Sequence, residues 1–284
     1  TEITMWRAKT SELGSKTIPF NAMDRTPDGT ARSRRRMSEM AHSLQIMTWN
    51  IQAAIGTTKY SQYVTRAHHQ VFNTSAKRST LEKIAEIVST HDVVCLQEVD
   101  LGGRRSGFTC QAEQIATLSG HAHVAVQRNR TIPGISLHGN AILSRHTLSD
   151  IHDFKLPGRV KGRGCLIANV QVGKGISVAN LHLSLGRNDQ SLQLDAVADH
   201  LPRKNPFLVV GDFNCTNSST HLEAFAEANK AKIANHPLLP TYPSWRPQKD
   251  LDHIVYSNSI SLDQRHCLAH QLSDHLPVSA EISF

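Results

Sequence analysis

The sequence has few cysteines and no long apolar segment. It contains five cysteines among 284 residues, an odd number without a CxxC pair, which argues against a disulfide framework or a zinc cluster. No run approaches the ~18 apolar residues of a membrane-spanning helix. The first residues, TEITMWRAKTSELGSK, lack the apolar centre of a signal peptide. These absences predict a globular protein without a transmembrane segment, with reduced thiols, in the cytoplasm.

Acidic residues are outnumbered by basic ones. The 31 Lys and Arg residues exceed the 24 Asp and Glu residues and leave a formal charge of +7. This excess favours an anionic partner such as nucleic acid, a phosphorylated small molecule or an acidic membrane surface. Plain solubility is the alternative explanation of the same charge. Nothing in the sequence indicates an obligate protein partner.

The first 43 residues differ from the rest of the chain. They are rich in Thr, Ser, Arg and Lys and include the basic run RSRRR at 32–36. This composition predicts an N-terminal basic extension over 1–43, either flexible or laid along the surface. We expect one folded domain over 44–284.

Apolar runs alternate with helical periodicity from residue 44 onward. We predict helices over 79–91, 112–118, 190–201 and 219–229, the first of them opened by a capping box of Ser79 and Glu82. The predicted strands lie at 44–51, 93–99, 121–127, 138–145, 165–172, 176–183, 208–210, 251–257, 260–270 and 277–284. Because no regular βαβ rhythm runs through the chain, we expect an α/β protein with mixed sheets and helices outside them.

Polar residues stand near the ends of these predicted strands. In LVVGDFN, residues 208–214, Asp212 and Asn214 follow a buried strand and share one face if the extended geometry continues. Taken singly, such residues are also explained as a strand that ends in a turn. Nine residues in similar positions form the candidate site: Asn50, Glu98, Asn140, His182, Asp212, Asn214, Asp252, Asp274 and His275.

These residue types suit phosphate chemistry. Glu98 lies in the apolar run VVCLQEV, where a carboxylate needs a partner or a metal to offset its burial. With Asp274 it can hold Mg²⁺, which prefers one or two carboxylates together with water and phosphate oxygens. Asp252 can orient His275, which then meets an anionic phosphate as an imidazolium.

Two loops combine glycines with basic side chains. They are GGRRSG at 102–107 and GRVKGRG at 158–164, and they supply Arg104, Arg105, Lys161 and Arg163 as candidate substrate-binding residues. Glycine lets a backbone approach phosphate closely, and Arg binds it bidentately. A flexible turn between strands is the alternative interpretation of each loop.

Seven short motifs occur in the same order as in the endonuclease/exonuclease/phosphatase superfamily. Residues 44–284 therefore resemble that superfamily. The motifs are TWNI, LQEVD, GNAILSR, NLHL, VGDFN, LDHIVYS and SDHLPVSAEI. The superfamily includes deoxyribonucleases, apurinic endonucleases, sphingomyelinases and inositol polyphosphate 5-phosphatases. The resemblance implies a catalytic domain with a four-layer α/β sandwich fold, two mixed β-sheets packed face to face with helices outside.

The same resemblance implies metal ligands and phosphate contacts. Glu98 resembles the main ligand of Mg²⁺ (or Mn²⁺), with Asn50 and Asp274 nearby. Asn214 and His182 resemble residues that contact phosphoryl oxygens.

It also implies the proton-transfer residues. Asp212 resembles the residue that positions or deprotonates the attacking water, and Asp252 with His275 resembles the paired carboxylate and imidazole. One departure is Asn140, which stands where deoxyribonucleases have a Glu that supports the residue matching His182.

We therefore expect a divalent-metal-dependent phosphodiester hydrolase, a nuclease that acts on DNA or RNA. The alternative within the same chemistry is a phosphodiesterase or phosphatase acting on phospholipid or inositol phosphate head groups, which suit the same loops. An alternative of another class is a non-catalytic phosphate-binding module. Loss of site residues would mark such a module, and the sequence shows none lost.

Overall fold

Two six-stranded sheets form the centre of the molecule. A computed structural model describes residues 42–65, 71–234 and 239–284. The strands are β1 Ser43–Asn50, β2 Val93–Asp100, β3 His123–Ile132, β4 Ser136–Ser144, β5 Leu148–Lys155, β6 Gly164–Val170, β7 Ile176–His182, β8 Phe207–Asp212, β9 Ala231–Ile233, β10 Asp252–Ser257, β11 Ser261–Cys267 and β12 Val278–Ser283. The first sheet has the order β11-β12-β1-β2-β4-β3 and the second β5-β6-β7-β8-β10-β9.

Helices cover the outer faces of both sheets. They are α2 Ser75–Val88, α3 Gln111–Ser119, α4 Arg187–Ala198 and α5 Thr220–Ala228, and a short helix, α1 Gln62–Thr65, precedes them. Residues of α2 and α3, such as Ile84 and Ile115, pack on the first sheet, and residues of α4 and α5, such as Leu194 and Leu222, pack on the second. A third apolar cluster fills the space between the sheets. The predicted four-layer α/β sandwich is therefore confirmed.

Each sheet contains one parallel pair among antiparallel neighbours. β1 runs parallel to β2 in the first sheet, and β7 runs parallel to β8 in the second. The sheets are mixed, as predicted, and parallel strands end on the same side. Asn50, which ends β1, donates from Nδ2 to Oδ2 of Asp212, which ends β8, at 3.1 Å. The carboxyl ends of both parallel pairs therefore meet at one edge of the sandwich.

Some element boundaries and two strands differ from the prediction. Helix α2 begins four residues before Ser79, because the Thr74 side chain accepts from the Lys77 N–H and caps it; the predicted capping box is wrong. Strands β5 and β9 had no clear alternating pattern and were not predicted.

Some predictions fall outside the described residues. Among them is most of the predicted basic extension, while Ser43 already belongs to β1. In the described part of the chain, no helix has the length and apolar character needed to cross a membrane.

Candidate active site

Strand register places the predicted site residues at one edge. In the second sheet Asp212 pairs with His182 of β7 on one side and with Asp252 of β10 on the other. Neighbouring strands lie about 4.8 Å apart, so these three residues are adjacent. In the first sheet β12 follows Asp274 and His275 and pairs with β1 just before Asn50.

A carboxylate–imidazole–carboxylate chain forms the core of the site. His275 Nδ1 lies 2.8 Å from Asp252 Oδ2, and its Nε2 lies 3.8 Å from Asp212 Oδ2. Thr241 Oγ1 also donates to Asp252 Oδ2, and Trp49 Nε1 donates to the His275 carbonyl at 3.0 Å. These bonds fix the ring orientation between two buried carboxylates.

The surroundings of these groups shift their pKa values in opposite senses. Burial lowers the pKa of His275, but the carboxylates of Asp252 and Asp212 outweigh it and hold that pKa well above its usual value. Burial and the neighbouring Asp252 raise the pKa of Asp212 to about 7, although His275 and Asn50 oppose the shift. His275 is therefore an imidazolium at neutral pH, and Asp212 can exchange a proton there.

A β-bulge turns Glu98 into the gap between the sheets. Leu96 pairs with Ala141 and Val99 with Gly139, so Gln97 and Glu98 together oppose the single residue Asn140. Glu98 has a positive φ of 54°. Leu96 and Val99 both face the helix layer, and without the bulge the carboxylate of Glu98 would enter that apolar layer.

Glu98 and Asp274 are a close carboxylate pair. Burial raises the pKa of Glu98, and Asp274 raises it further, while His275 and Asn50 oppose the shift. Asp274 accepts from Gln52 Nε2 at 3.1 Å and from Ser273 Oγ at 3.1 Å. A divalent cation between the two carboxylates would remove their repulsion, so this donor set fits Mg²⁺ or Mn²⁺.

Asn50 is oriented differently from the predicted metal ligand. Its Oδ1 accepts from the Gln52 backbone N–H at 3.1 Å, and its Nδ2 donates to Asp212. In this orientation the side chain presents donors, not an oxygen ligand, to the carboxylates. Its position supports Asp212 and Glu98 directly.

Asp212, Asp252 and His275 form a second group whose ligand atoms lie within 4.8 Å of one another. Such a cluster can also hold a metal. Here the imidazolium already faces both carboxylates and offsets part of their negative charge, which favours proton chemistry at these residues.

His182, Asn214 and Asn140 complete the predicted set. His182 Nε2 lies 3.3 Å from Asp212 Oδ2, and burial and Arg163 hold the pKa of His182 well below its usual value. Asn214 has a φ of 52°, and its backbone N–H donates to Asp212 Oδ1 at 3.0 Å. Asn140 Nδ2 donates to Gln127 and to the Gly164 carbonyl. Because its pKa is so low, the His182 ring is neutral, and it acts as a hydrogen-bond donor next to Asp212.

The second basic loop reaches the site. Arg163 and Lys161 line a cleft together with Glu98, Asn140 and His182. Burial lowers the pKa of Arg163, and the carboxylates of Asp212 and Glu98 oppose this shift, so its positive charge interacts with both. Arg163 is thus positioned for a phosphoryl oxygen at the centre of the site.

The first basic loop does not offer Arg105 to a substrate. Its guanidinium is only 2% exposed and forms an ion pair with Asp100, so the prediction that it binds substrate is wrong. Arg104 lies over the Phe72 ring, 5.2 Å from its centroid. Spacing could not separate the buried Arg from the exposed one, because both follow glycines within a 3-10 turn at Arg104–Ser106.

The sequence alone does not reveal several residues of the site. Gln52 bonds to Asp274 from a turn in which Gln52, Ala53 and Ala54 all have positive φ. Thr241 holds Asp252, and Arg130 and His138 line the cleft. No local pattern marks them, because each reaches the site through pairing with a distant strand or loop.

The fold and the site define an α/β-sandwich hydrolase that acts on phosphoesters. The chain matches the Endonuclease/Exonuclease/phosphatase family model over residues 47–275 and belongs to that family. Members of the family are phosphoesterases, and the protein is an enzyme of this class. In sequence, none of the curated proteins matches the chain significantly.

Solved structures share the fold at low identity. An endonuclease/exonuclease/phosphatase from Beutenbergia cavernae is 21% identical, with a TM-score of 0.64 over 84% of this chain and 71% of that one. The Bacteroides thetaiotaomicron mannosyl-6-phosphatase is 17% identical, with a TM-score of 0.66 over 85% and 100%. The human nocturnin catalytic domain with bound sulfate is 20% identical, with a TM-score of 0.64 over 85% and 93%.

Proposed function

We propose that the protein is a divalent-metal-dependent phosphodiester hydrolase and that its substrate is DNA or RNA. The observation that carries the proposal is the Asp252–His275–Asp212 chain, in which Asp252 lies 2.8 Å from the ring that faces Asp212. These three residues lie beside the carboxylate pair of Glu98 and Asp274. Asp212 as a base and the His275 imidazolium as a cation for the phosphate therefore lie next to a candidate metal site.

Each residue of the chain has a separate task in this mechanism. Asp212, with a pKa of about 7, orients the attacking water and takes its proton. His275, held as an imidazolium by Asp252, stabilises negative charge on a phosphoryl oxygen. His182 and Asn214 donate to the other oxygens, and Arg163 neutralises the charge that develops on them.

Glu98 and Asp274 are the residues that would hold Mg²⁺ or Mn²⁺, with Asn50 beside them as a donor. Such an ion, when bound, supplies Lewis-acid stabilisation of the phosphoryl group and of the leaving oxygen.

Nucleic acid is favoured over other diesters by charge. The chain carries +7, and Lys161, Arg163 and Arg130 lie along the cleft next to the site. Phospholipid and inositol phosphate head groups remain the alternative substrates, and the mannosyl-6-phosphatase relative supports a sugar phosphate as a related possibility. A non-catalytic phosphate-binding module is disfavoured, because the described site keeps every predicted proton-transfer residue.

The test is a turnover panel with Mg²⁺, with Mn²⁺ and with chelator. The substrates are single- and double-stranded DNA, RNA, anionic phospholipid vesicles and inositol phosphates. We expect metal-dependent cleavage of oligonucleotides. Turnover confined to lipid or inositol phosphates would reject the nuclease assignment, and no turnover of any phosphoester would support the binding-module alternative.

A further inference from the structure

A narrow cleft continues from the catalytic residues toward the end of β3. It has a volume of about 150 Å³, and Glu98, Asn140 and His182 form its inner end. Its outer part is lined by Arg130, His138 and Lys161.

Buried charges fix the hydrogen bonding of His138. An Arg105 guanidinium nitrogen lies 3.2 Å from His138 Nδ1. A guanidinium only donates, so Nδ1 accepts and the proton of the neutral ring is on Nε2. Burial and Arg105 lower the pKa of His138 to about 4, which agrees with a neutral ring. Since Nδ1 is engaged by Arg105, Nε2–H is the donor that His138 can offer to the cleft.

Arg105 itself cannot move easily. It is 2% exposed and its Nε donates to Asp100, and Lys77 Nζ donates to its carbonyl at 2.6 Å. Asp100 also accepts from the Gly103 N–H at 2.6 Å. The first basic loop thus serves to hold His138 in one tautomer.

Close packing brings the other two cations to the same cleft. Gly162, with a φ of +94°, lies so near β3 that an added Cβ would be 2.8 Å from Arg130 Cβ. A side chain at 162 would push the loop away from Arg130. The glycine therefore lets the loop that carries Lys161 dock beside the Arg130 stem.

We propose that Arg130, His138 and Lys161 form a second phosphate subsite, which binds a phosphate group neighbouring the one that is cleaved. The inference rests on the proposed diesterase function and deepens it. Two cations and a fixed neutral donor match a phosphate, and Arg163, which lines the same cleft, interacts electrostatically with Arg130 and with the carboxylates of Asp212 and Glu98. The substrate class is a phosphodiester with a second phosphate a few bonds away.

Substrate pairs that differ by one phosphate test the subsite. For nucleotides, kcat/KM of the dithymidine monophosphate TpT is compared with that of its 5′-phosphorylated and its 3′-phosphorylated forms. For inositol phosphates, glycerophosphoinositol is compared with glycerophosphoinositol 4-phosphate. We expect kcat/KM to be at least about tenfold higher for a phosphorylated nucleotide, the effect of one good charge-assisted contact. A preference confined to the inositol pair keeps the subsite and changes the source of the phosphate.

Variants of the three subsite residues test whether the preference for the phosphorylated substrate arises there. His138→Leu and the pair Arg130→Gln with Lys161→Gln should reduce it to less than about twofold, whereas His138→Gln, which keeps an N–H donor, should retain part of it. Arg203→Gln, an exposed charge before β8 at the other end of the sandwich, should leave it unchanged. Cleavage by the wild type without any preference in either the nucleotide or the inositol pair would reject the subsite and leave the diesterase function intact.

A binding measurement covers the case in which no diester is cleaved. In ¹⁵N-histidine-labelled protein, His138 should show a protonated Nε2, and inorganic phosphate should shift that signal. The shift should vanish in the Arg130→Gln, Lys161→Gln variant. A protonated Nδ1, or no response to phosphate in the wild type, would overturn the subsite.

Discussion

At the scale of single residues, similar carboxylates receive different roles from their neighbours. Asp252 accepts from Thr241 and His275 and holds the ring. Asp212 Oδ2 lies 3.8 Å from Nε2 on the other side of that ring, and burial raises the pKa of Asp212 to about 7. Glu98 lies beside another acid, Asp274, and its pKa is raised by burial and by that acid. In the proposed mechanism, Asp252 orients the ring of His275, Asp212 exchanges protons and Glu98 binds the metal.

Binding of metal to Glu98 is testable through stability. Mg²⁺ or Mn²⁺ at Glu98 and Asp274 should raise the melting temperature in a concentration-dependent way, because the folded state binds the ion. Glu98→Gln should remove most of this rise. Thermal melts with 0 to millimolar metal measure it, with Glu223→Gln on the exposed face of α5 as control. An equal rise in Glu98→Gln would place the metal elsewhere.

The nine candidate residues can be picked out from the sequence because each is a polar residue at or near the end of an apolar run. Asp212 after LVV is an example. Arg105 could not be assigned correctly, because its burial depends on Asp100 and on the loop that returns to β4. His138 gave no signal, since its role depends on that same buried guanidinium.

At the scale of elements, one amide joins the two sheets behind the active site. Asn180 of β7 donates to the carbonyls of Leu96 and Ala141 in the first sheet, at 3.0 and 2.8 Å. It also accepts from Gln97 Nε2 at 2.7 Å. Gln97 is the neighbour of Glu98 in the bulge, so this bond supports the position of Glu98, the proposed metal ligand.

Asn180→Val should destabilise the protein by about 1–3 kcal/mol, because Gln97 loses a buried partner. It should also lower the affinity for Mg²⁺, since the bulge that carries Glu98 is less fixed. Urea unfolding and metal-induced thermal shifts measure the two effects. Asn169→Val, at a half-buried position of β6, is the matched control. Unchanged stability and unchanged metal affinity would show that the inter-sheet bond has no such role.

Periodicity predicted most strands but not the geometry between them. The apolar run VVCLQEV correctly gave β2, yet the bulge at Gln97 and Glu98 exists only in its pairing with β4. β5 was missed because it lies at a sheet edge, where polar side chains such as Asp150 and His152 interrupt the apolar pattern of its sequence. Tertiary pairing decides such features, and local pattern does not record it.

At the scale of the whole molecule, buried neutral histidines couple stability to pH. His121 Nδ1 lies 2.7 Å from Ser119 Oγ and its Nε2 donates to the His91 carbonyl. Burial and Arg145 lower the pKa of His121 to about 4, against about 6.5 in an unfolded chain. The unfolded state therefore binds the proton more tightly, and stability should fall as pH drops from about 6.5 to 4.

His121→Gln should make the free energy of unfolding less dependent on pH in this window. Urea unfolding at several pH values between 7.5 and 4.5 measures the slope. His200→Gln, at an exposed position at the end of α4, should keep the wild-type slope. A variant at 121 with the wild-type slope would contradict the coupling.

The charge of +7 gives a prediction for binding of nucleic acid. For an inactive Asp212→Asn variant, log affinity for oligonucleotides should fall linearly with log salt, by roughly 0.7–0.9 per phosphate contact. Adding Lys161→Gln and Arg163→Gln should flatten the slope by about one to two units. Arg203→Gln with Lys204→Gln controls for net charge. Undetectable binding at low salt would contradict a nucleic-acid substrate.

The central claim is that Asp212 and His275 act as one catalytic unit, and a double-mutant cycle tests it most directly. Cleavage of an oligonucleotide with Mg²⁺ is measured in the wild type, Asp212→Asn, His275→Ala and the double variant, with exposed Asp199→Asn as control. We predict that each single change lowers turnover by about 10²–10⁴-fold and that the double change costs far less than their product. Full activity of a folded Asp212→Asn variant, or fully multiplicative losses, would contradict the claim.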